Sequence, residues 1–211
     1  MFSVERYLNE YVQVMSHIDA TAIERLSQLL LNAWRINRTV FCCGNGGSSA
    51  NACHFAADLT KLTAPVRGRR VRAVALTESV AAMSAIANDI SYDDVFVEQL
   101  RTFMAPNDVL VGFSTSGRSP NVLRAVEYAN AISGVTVAVT GQEGLALRGL
   151  AQHTVMVHST SVQQIEDATM MIAHLLCLRT RELIAHESAD AALRQRAAVV
   201  KDLRLANRSA M

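Results

Sequence analysis

Five short apolar runs punctuate this chain, at residues 39–43, 71–76, 109–113, 135–139 and 154–157, each closed by glycine or polar residues. Valine is abundant in them and apolar–polar alternation is weak, the pattern of strands covered on both faces. Between the runs lie stretches of helical length, at 48–62, 80–87, 93–104, 119–133 and 143–151. Strand alternating with helix has one economical solution, a parallel sheet wrapped by helices on both faces, so the chain is α/β. Two helices precede the sheet. Apolar residues recur three and four apart through Leu26, Leu29, Leu30, Ala33 and Trp34, and Asp19-Ala20-Thr21 reads as a capping junction. A long helix follows the sheet at 162–185, with Met170, Met171, Ile172, Leu175, Leu176 and Leu178 on most of its faces. That spread predicts burial on more than one side, as in an oligomer interface. The last segment, 187–211, carries Arg194, Arg196, Lys201, Arg204 and Arg208 and reads as a charged helix or tail in solvent. The sequence thus divides into one domain over 1–186 and the appendage 187–211.

Half of the 211 residues are hydrophobic and 18% are charged, a core-rich balance that excludes a disordered chain. A net charge of +1 predicts no strong attraction to nucleic acid or an acidic membrane, yet leaves room for a phosphorylated small molecule, which needs only a local positive field. The first residues carry Glu5, Arg6 and Glu10 and show no apolar leader, and no run of about twenty apolar residues appears. Cys42, Cys43, Cys53 and Cys177 lack the paired Cys-x-x-Cys spacing of a zinc site and read as reduced core thiols, which points to the cytoplasm.

Two loops carry chemistry. Val40-Phe41-Cys42-Cys43-Gly44-Asn45-Gly46-Gly47-Ser48-Ser49 is a strand, a glycine-rich turn and a helix start. Glycines allow close backbone approach, and a helix N-terminus presents unpaired N–H groups that suit an anion. The same stretch also reads as a tight turn with Ser48 or Ser49 as N-cap. It lacks the Gly-Lys-Ser/Thr ending of a P-loop and the Gly-x-Gly-x-x-Gly spacing of a dinucleotide site. The second loop, Phe113-Ser114-Thr115-Ser116-Gly117-Arg118-Ser119-Pro120-Asn121, offers four hydroxyls and a glycine before a helix, enough to surround a phosphate without lysine. Ser119 can equally be an N-cap with Pro120 at the first helical position. In a doubly wound sheet both loops border the ligand crevice.

His54 and Asp58 lie four apart and share a helix face. Glu166 and His174, on the long helix, are eight apart, which is two turns and about 80° around the axis. Two histidines and two carboxylates suit a divalent ion such as zinc, and also proton transfer between the carbons of an aldose–ketose pair. Buried ion pairs and surface charges are the alternative reading.

Cys43-Gly44-Asn45-Gly46-Gly47-Ser48, His54-Phe55-Ala56, Asn88-Asp89 and Ser114-Thr115-Ser116-Gly117-x-Ser119, with Thr140-Gly141 and the helix bearing His174, resemble the phosphoheptose isomerases of the SIS (sugar isomerase) family over about residues 5–185. The resemblance implies a flavodoxin-like five-stranded parallel sheet and a homotetramer with active sites between subunits. It implies conversion of sedoheptulose 7-phosphate to D-glycero-D-manno-heptose 7-phosphate through an enediol, towards bacterial surface polysaccharide. By the same resemblance Asn45, Gly46, Gly47, Asn88, Asp89 and Glu166 contact the sugar, and Ser114, Thr115, Ser116 and Ser119 cradle the phosphate. His54, Asp58, Glu166 and His174 fall at the zinc positions, with Asp58 as base and His174 as acid.

Four departures from the family pattern stand out. Asp58 replaces the usual Glu and is one methylene shorter, and Glu166 replaces Gln. Thr60-Lys61-Leu62 stands where Thr-Gly-Arg is common, and Gln163 or Gln164 alters the polar residue before the helix ligand. They leave open an isomerase for another sugar phosphate. A second class is also implied: some relatives are tetrameric adaptors for the initiator of chromosome replication, without catalysis. Those lose acidic and histidine positions that this chain keeps at 58 and 174. A sugar-phosphate-sensing regulatory domain is the third.

Overall fold

The computed structural model describes residues 2–63 and 69–209, with side chains as far as residue 191. Two helices come first, α1 (Val4–Ser16) and α2 (Ala20–Arg35). Their junction follows the capping chemistry: Asp19 Oδ1 accepts from the Thr21 and Ala22 N–H groups at 2.8 and 3.1 Å. The chain then runs through β1 (Thr39–Cys43), α3 (Gly47–Leu62), β2 (Arg72–Ala75), α4 (Val80–Asp89) and a 3-10 turn (Tyr92–Asp94). It continues as α5 (Val97–Phe103), β3 (Val109–Ser114), α6 (Pro120–Ala131), β4 (Val135–Gly141), α7 (Leu145–Leu150), β5 (His153–Val157) and α8 (Val162–Ser209).

The five strands form one parallel sheet in the order β2-β1-β3-β4-β5, the flavodoxin-like order. β1 and β3 are buried at every position. Successive side chains of a strand point to opposite faces, so Val40 and Cys42 enter one core layer and Phe41 and Cys43 the other. The first layer packs Phe55 and Leu59 of α3 and Ile172 and Leu176 of α8 against the sheet; the second packs Phe96, Leu100 and Val126. Fully burying a side chain of this size contributes about 1.5–3 kcal/mol. The amino end of the sheet is pinned by Asp108, 4% exposed, whose carboxylate accepts from Thr39 N–H at 2.9 Å and Ala105 N–H at 2.8 Å.

Three local expectations change. Residues 93–104 do not form one helix: Ser91 Oγ accepts from Asp93 N–H at 3.1 Å and closes the 3-10 turn, and α5 begins afresh at Val97. β2 is an edge strand covered on one side only, with Val74 43% exposed. The cap of α3 is Gly46, not Ser48 or Ser49, and no side chain closes that helix end.

On α8, Ile165, Ala168, Ile172, Leu176, Thr180 and Ile184 are buried three and four residues apart, one stripe against the core. Leu175 and Leu178 face outward, which is the second apolar face read from the sequence. The helix crosses the 186/187 boundary without a break and extends over 48 residues, about 72 Å. Arg194, Arg196, Lys201, Arg204 and Arg208 have side chains outside the described residues.

All four cysteines are free thiols. Burial pushes Cys43 up to about 12 and raises Cys42 and Cys177 in the same direction. Thiolate is the reactive form, so a thiol reagent at pH 8 should titrate no more than one sulfhydryl per native chain, that of half-buried Cys53, and all four after denaturation. Rapid reaction of two or more in the native protein would contradict this packing.

Candidate active site

The strand order reverses between β1 and β3, so the chain leaves the carboxyl ends of these neighbours towards opposite faces of the sheet. Their loops, 44–46 and 115–119, flank the resulting crevice. On one side, the N-terminus of α3 carries no side-chain cap. On the other, Ser119 holds the N-cap position of α6 with Pro120 at N1, as the sequence suggests, but its hydroxyl makes no cap. It lies instead 3.3 Å from Ser114 Oγ. Ser114 Oγ also accepts from Gly117 N–H at 3.1 Å, and Ser116 Oγ accepts from Arg118 N–H at 3.3 Å.

This hydroxyl loop is set by buried contacts. Ser114 O accepts from Thr140 Oγ1 at 2.7 Å inside the core, and Thr115 O accepts from Gly141 N–H at 3.1 Å. Gly117 has φ +60°, and a Cβ there would strike Gly144, so only glycine fits. The Arg118–Glu143 pair at 3.0 Å is about two-thirds exposed at both ends, and such a pair contributes on the order of 0–1 kcal/mol. The backbone and the core shape the loop; the ion pair does not.

α3 and α8 pack side by side, and this packing brings His54 and Asp58 against His174. His54 Nε2 lies 2.9 Å from His174 Nε2 and 3.4 Å from Asp58 Oδ2, and His174 Nε2 lies 3.8 Å from the same oxygen. The imidazole rings meet edge-on with centroids 5.0 Å apart. Three ligand atoms around a tetrahedral ion with bonds near 2.05 Å stand about 3.3 Å apart. The three separations bracket that figure, so the donor set fits a zinc-sized ion, and Asp58 reaches the histidines in spite of its shorter side chain. Asp58 is mostly covered, while both histidines stay half exposed in the single chain.

Glu166 is outside this converging group. Asn51 Nδ2 donates to Glu166 O at 3.0 Å, holding that turn of α8 to α3. The Glu166 carboxylate occupies the space that a Cβ on Gly47 would need, so it faces the uncapped end of α3, where a negative charge is favoured. Glu166 and His174 therefore face different parts of α3, two helical turns apart. Asn88 and Asp89 are at the exposed end of α4, where Asn88 Nδ2 donates to Asp89 Oδ1 at 2.7 Å.

Asn45 is half-buried, and two residues that the sequence reading did not single out as functional hold it. Its Nδ2 donates to Asn121 Oδ1 at 2.9 Å, and its Oδ1 accepts from Asn121 Nδ2 at 2.9 Å and from the Tyr92 hydroxyl at 3.0 Å. Asn121 and Tyr92 carried no signal in the sequence beyond their nearness to the motifs.

The sequence profile of the SIS domain matches residues 6–141. The chain belongs to the SIS-domain family. Within it, this SIS-domain chain is 35% identical over 176 residues to the phosphoheptose isomerase of Campylobacter jejuni, covering 82% of this chain and 94% of that one. It is 34% identical over 167 residues to that of Helicobacter pylori, covering 79% and 86%. The structure of phosphoheptose isomerase from Neisseria gonorrhoeae superimposes with a TM-score of 0.78 at 31% identity, covering 85% of this chain and 97% of that chain. The SIS-domain fold of those enzymes is therefore retained along nearly their whole length.

Proposed function

We propose that this SIS-domain chain is a phosphoheptose isomerase, converting sedoheptulose 7-phosphate to D-glycero-D-manno-heptose 7-phosphate. The observation that carries the reading is the meeting of His54 and Asp58, on the helix that leaves the glycine loop, with His174 of α8. Ser114, Thr115, Ser116 and Ser119 take the phosphate, with the N-terminus of α6 supplying the field. Asn45, Gly46, Gly47, Asn88 and Asp89 take sugar hydroxyls, and Glu166 joins them from α8. In a ketose-to-aldose isomerisation one proton leaves C1 and one enters C2, while O2 gains a proton and O1 gives one up. In this reading Asp58 is the carboxylate that carries the carbon-bound proton, and His174 the imidazole that serves the oxygens. His54, Asp58 and His174 also suit a divalent ion, zinc, with Glu166 in reach only if its side chain leaves Gly47. Such an ion would polarise the carbonyl oxygen. An adaptor of the replication initiator has no use for this constellation, which favours the enzyme.

Direct assay of aldoheptose phosphate formation, with and without added zinc, tests the assignment. Wild type should turn over, and Asp58→Asn should lose at least about a hundredfold in kcat, the scale of general base catalysis, with its fold intact by circular dichroism. Full activity of Asp58→Asn would remove the base from this role.

We also propose a cytoplasmic homotetramer. Free thiols suit a reducing compartment, and among the described residues no helix is long and apolar enough to cross a membrane. Phe2, ahead of α1, and Val4, Leu8 and Val12 on it are 55–77% exposed, and a groove of about 650 Å³ where the α1–α2 junction and α2 meet α8 is lined by Met15, Ile18, Ile23, Met171, Leu175 and Leu178. Exposed apolar side chains grouped beside a groove with a charged rim of Glu24, Arg179, Arg181 and Glu182 support an interface there. Light scattering after gel filtration should give about four times the 22.9 kDa chain mass. A monomer would contradict the assembly and leave the half-exposed histidines without a partner to cover them.

A further inference from the structure

A carboxamide has two N–H donors and two acceptor lone pairs. In Asn45, three of these four are already committed inside the chain: both lone pairs of Oδ1, to Asn121 and Tyr92, and one N–H, to Asn121. Asn121 is itself fixed. It is 1% exposed, and its Oδ1 also accepts from Val122 N–H at 2.9 Å in the first turn of α6. Tyr92 stands in the 3-10 turn three residues after Asp89, so the same network reaches the end of α4. One amide pair and one hydroxyl thus join the glycine loop, the phosphate-loop helix and the Asn88–Asp89 corner.

We infer that Asn121 and Tyr92 are positioning residues that hold Asn45 as a donor-only contact, with a single N–H left for a substrate oxygen. This rests on the isomerase reading and deepens it by naming the chemistry selected. A hydroxyl or carbonyl oxygen can accept that N–H. A protonated amino group at the same point of the sugar finds no acceptor on the Asn45 side chain, so this contact favours a hydroxyl or carbonyl there over an ammonium. It also ties the sugar-binding loop to the helix that holds the phosphate, so the register between the two ends of the substrate is set by one short network.

Tyr92 is 52% exposed, so Tyr92→Phe removes one hydrogen bond with little risk to folding, which Asn121 variants do not offer. The experiment is a double-mutant cycle on the full-length protein: wild type, Tyr92→Phe, Asn45→Ala and the double variant. For each, kcat and KM are measured with sedoheptulose 7-phosphate, and the inhibition constant with inorganic phosphate. Loss of one positioning bond should lower kcat/KM about three- to tenfold in Tyr92→Phe. Inhibition by inorganic phosphate should stay within about twofold, because the hydroxyl loop is untouched. The effect of Tyr92→Phe should vanish in the Asn45→Ala background, since Tyr92 acts through Asn45. An active wild type matched by Tyr92→Phe would overturn the inference alone. So would an equal loss in both backgrounds, or phosphate inhibition that weakens in step with kcat/KM. An inactive wild type would overturn the isomerase reading and the inference together.

Discussion

In a parallel sheet whose strand order reverses once, the two strands beside the reversal send their chains to opposite faces, and the gap between the departing loops is the one place where a ligand meets two helix N-termini at once. In this chain those strands are β1 and β3, paired from Val40↔Val109 to Cys43↔Gly112. Both are wholly buried, so a register slip would carry their alternating side chains into the wrong core layers. The sheet therefore fixes the spacing of the glycine loop and the hydroxyl loop to within the tolerance of a hydrogen bond. The reciprocal amide pair of Asn45 and Asn121 exists because of that spacing.

The second dependence is on α8. Its buried stripe from Ile165 to Ile184 clamps it along α3, and only that alignment brings His174 to His54 and Asp58. Glu166 faces the start of α3 and His174 its middle, so one helix supplies residues along both stretches of α3. His174 is half exposed on α8 beside the outward-facing Leu175 and one turn before Leu178, so the proposed assembly surface and the proposed site lie on neighbouring positions of one helix.

Much of this was legible in the residues. Valine-rich runs closed by glycine gave strands in the right places, and Asp19 marked the helix junction by its own capping chemistry. The pairing of His54 with Asp58 followed from helical spacing. What was not legible depends on contacts distant in the chain. Glycine at 46 moved the start of α3 ahead of both serines, a choice that local preference for serine caps does not reveal. Ser91 split a stretch that periodicity alone read as one helix. Asn121 and Tyr92 lie 76 and 47 residues from Asn45, and nothing in either stretch announces the bond. Glu166 falls at a metal position by resemblance, while its carboxylate lies against Gly47 at the uncapped start of α3, a packing that spacing along α8 does not reveal.

The proposed isomerisation turns on transfer of a carbon-bound proton at this crevice. Its most direct test is NMR of sedoheptulose 7-phosphate incubated with the protein in deuterated water. An enediol route predicts deuterium at the carbon next to the carbonyl of recovered sugar and at C2 of the aldoheptose product, because a proton held by Asp58 exchanges with solvent. Product formed at full rate with no deuterium in either sugar would contradict a solvent-exchanging carboxylate base, and no turnover at all would contradict the isomerase assignment itself.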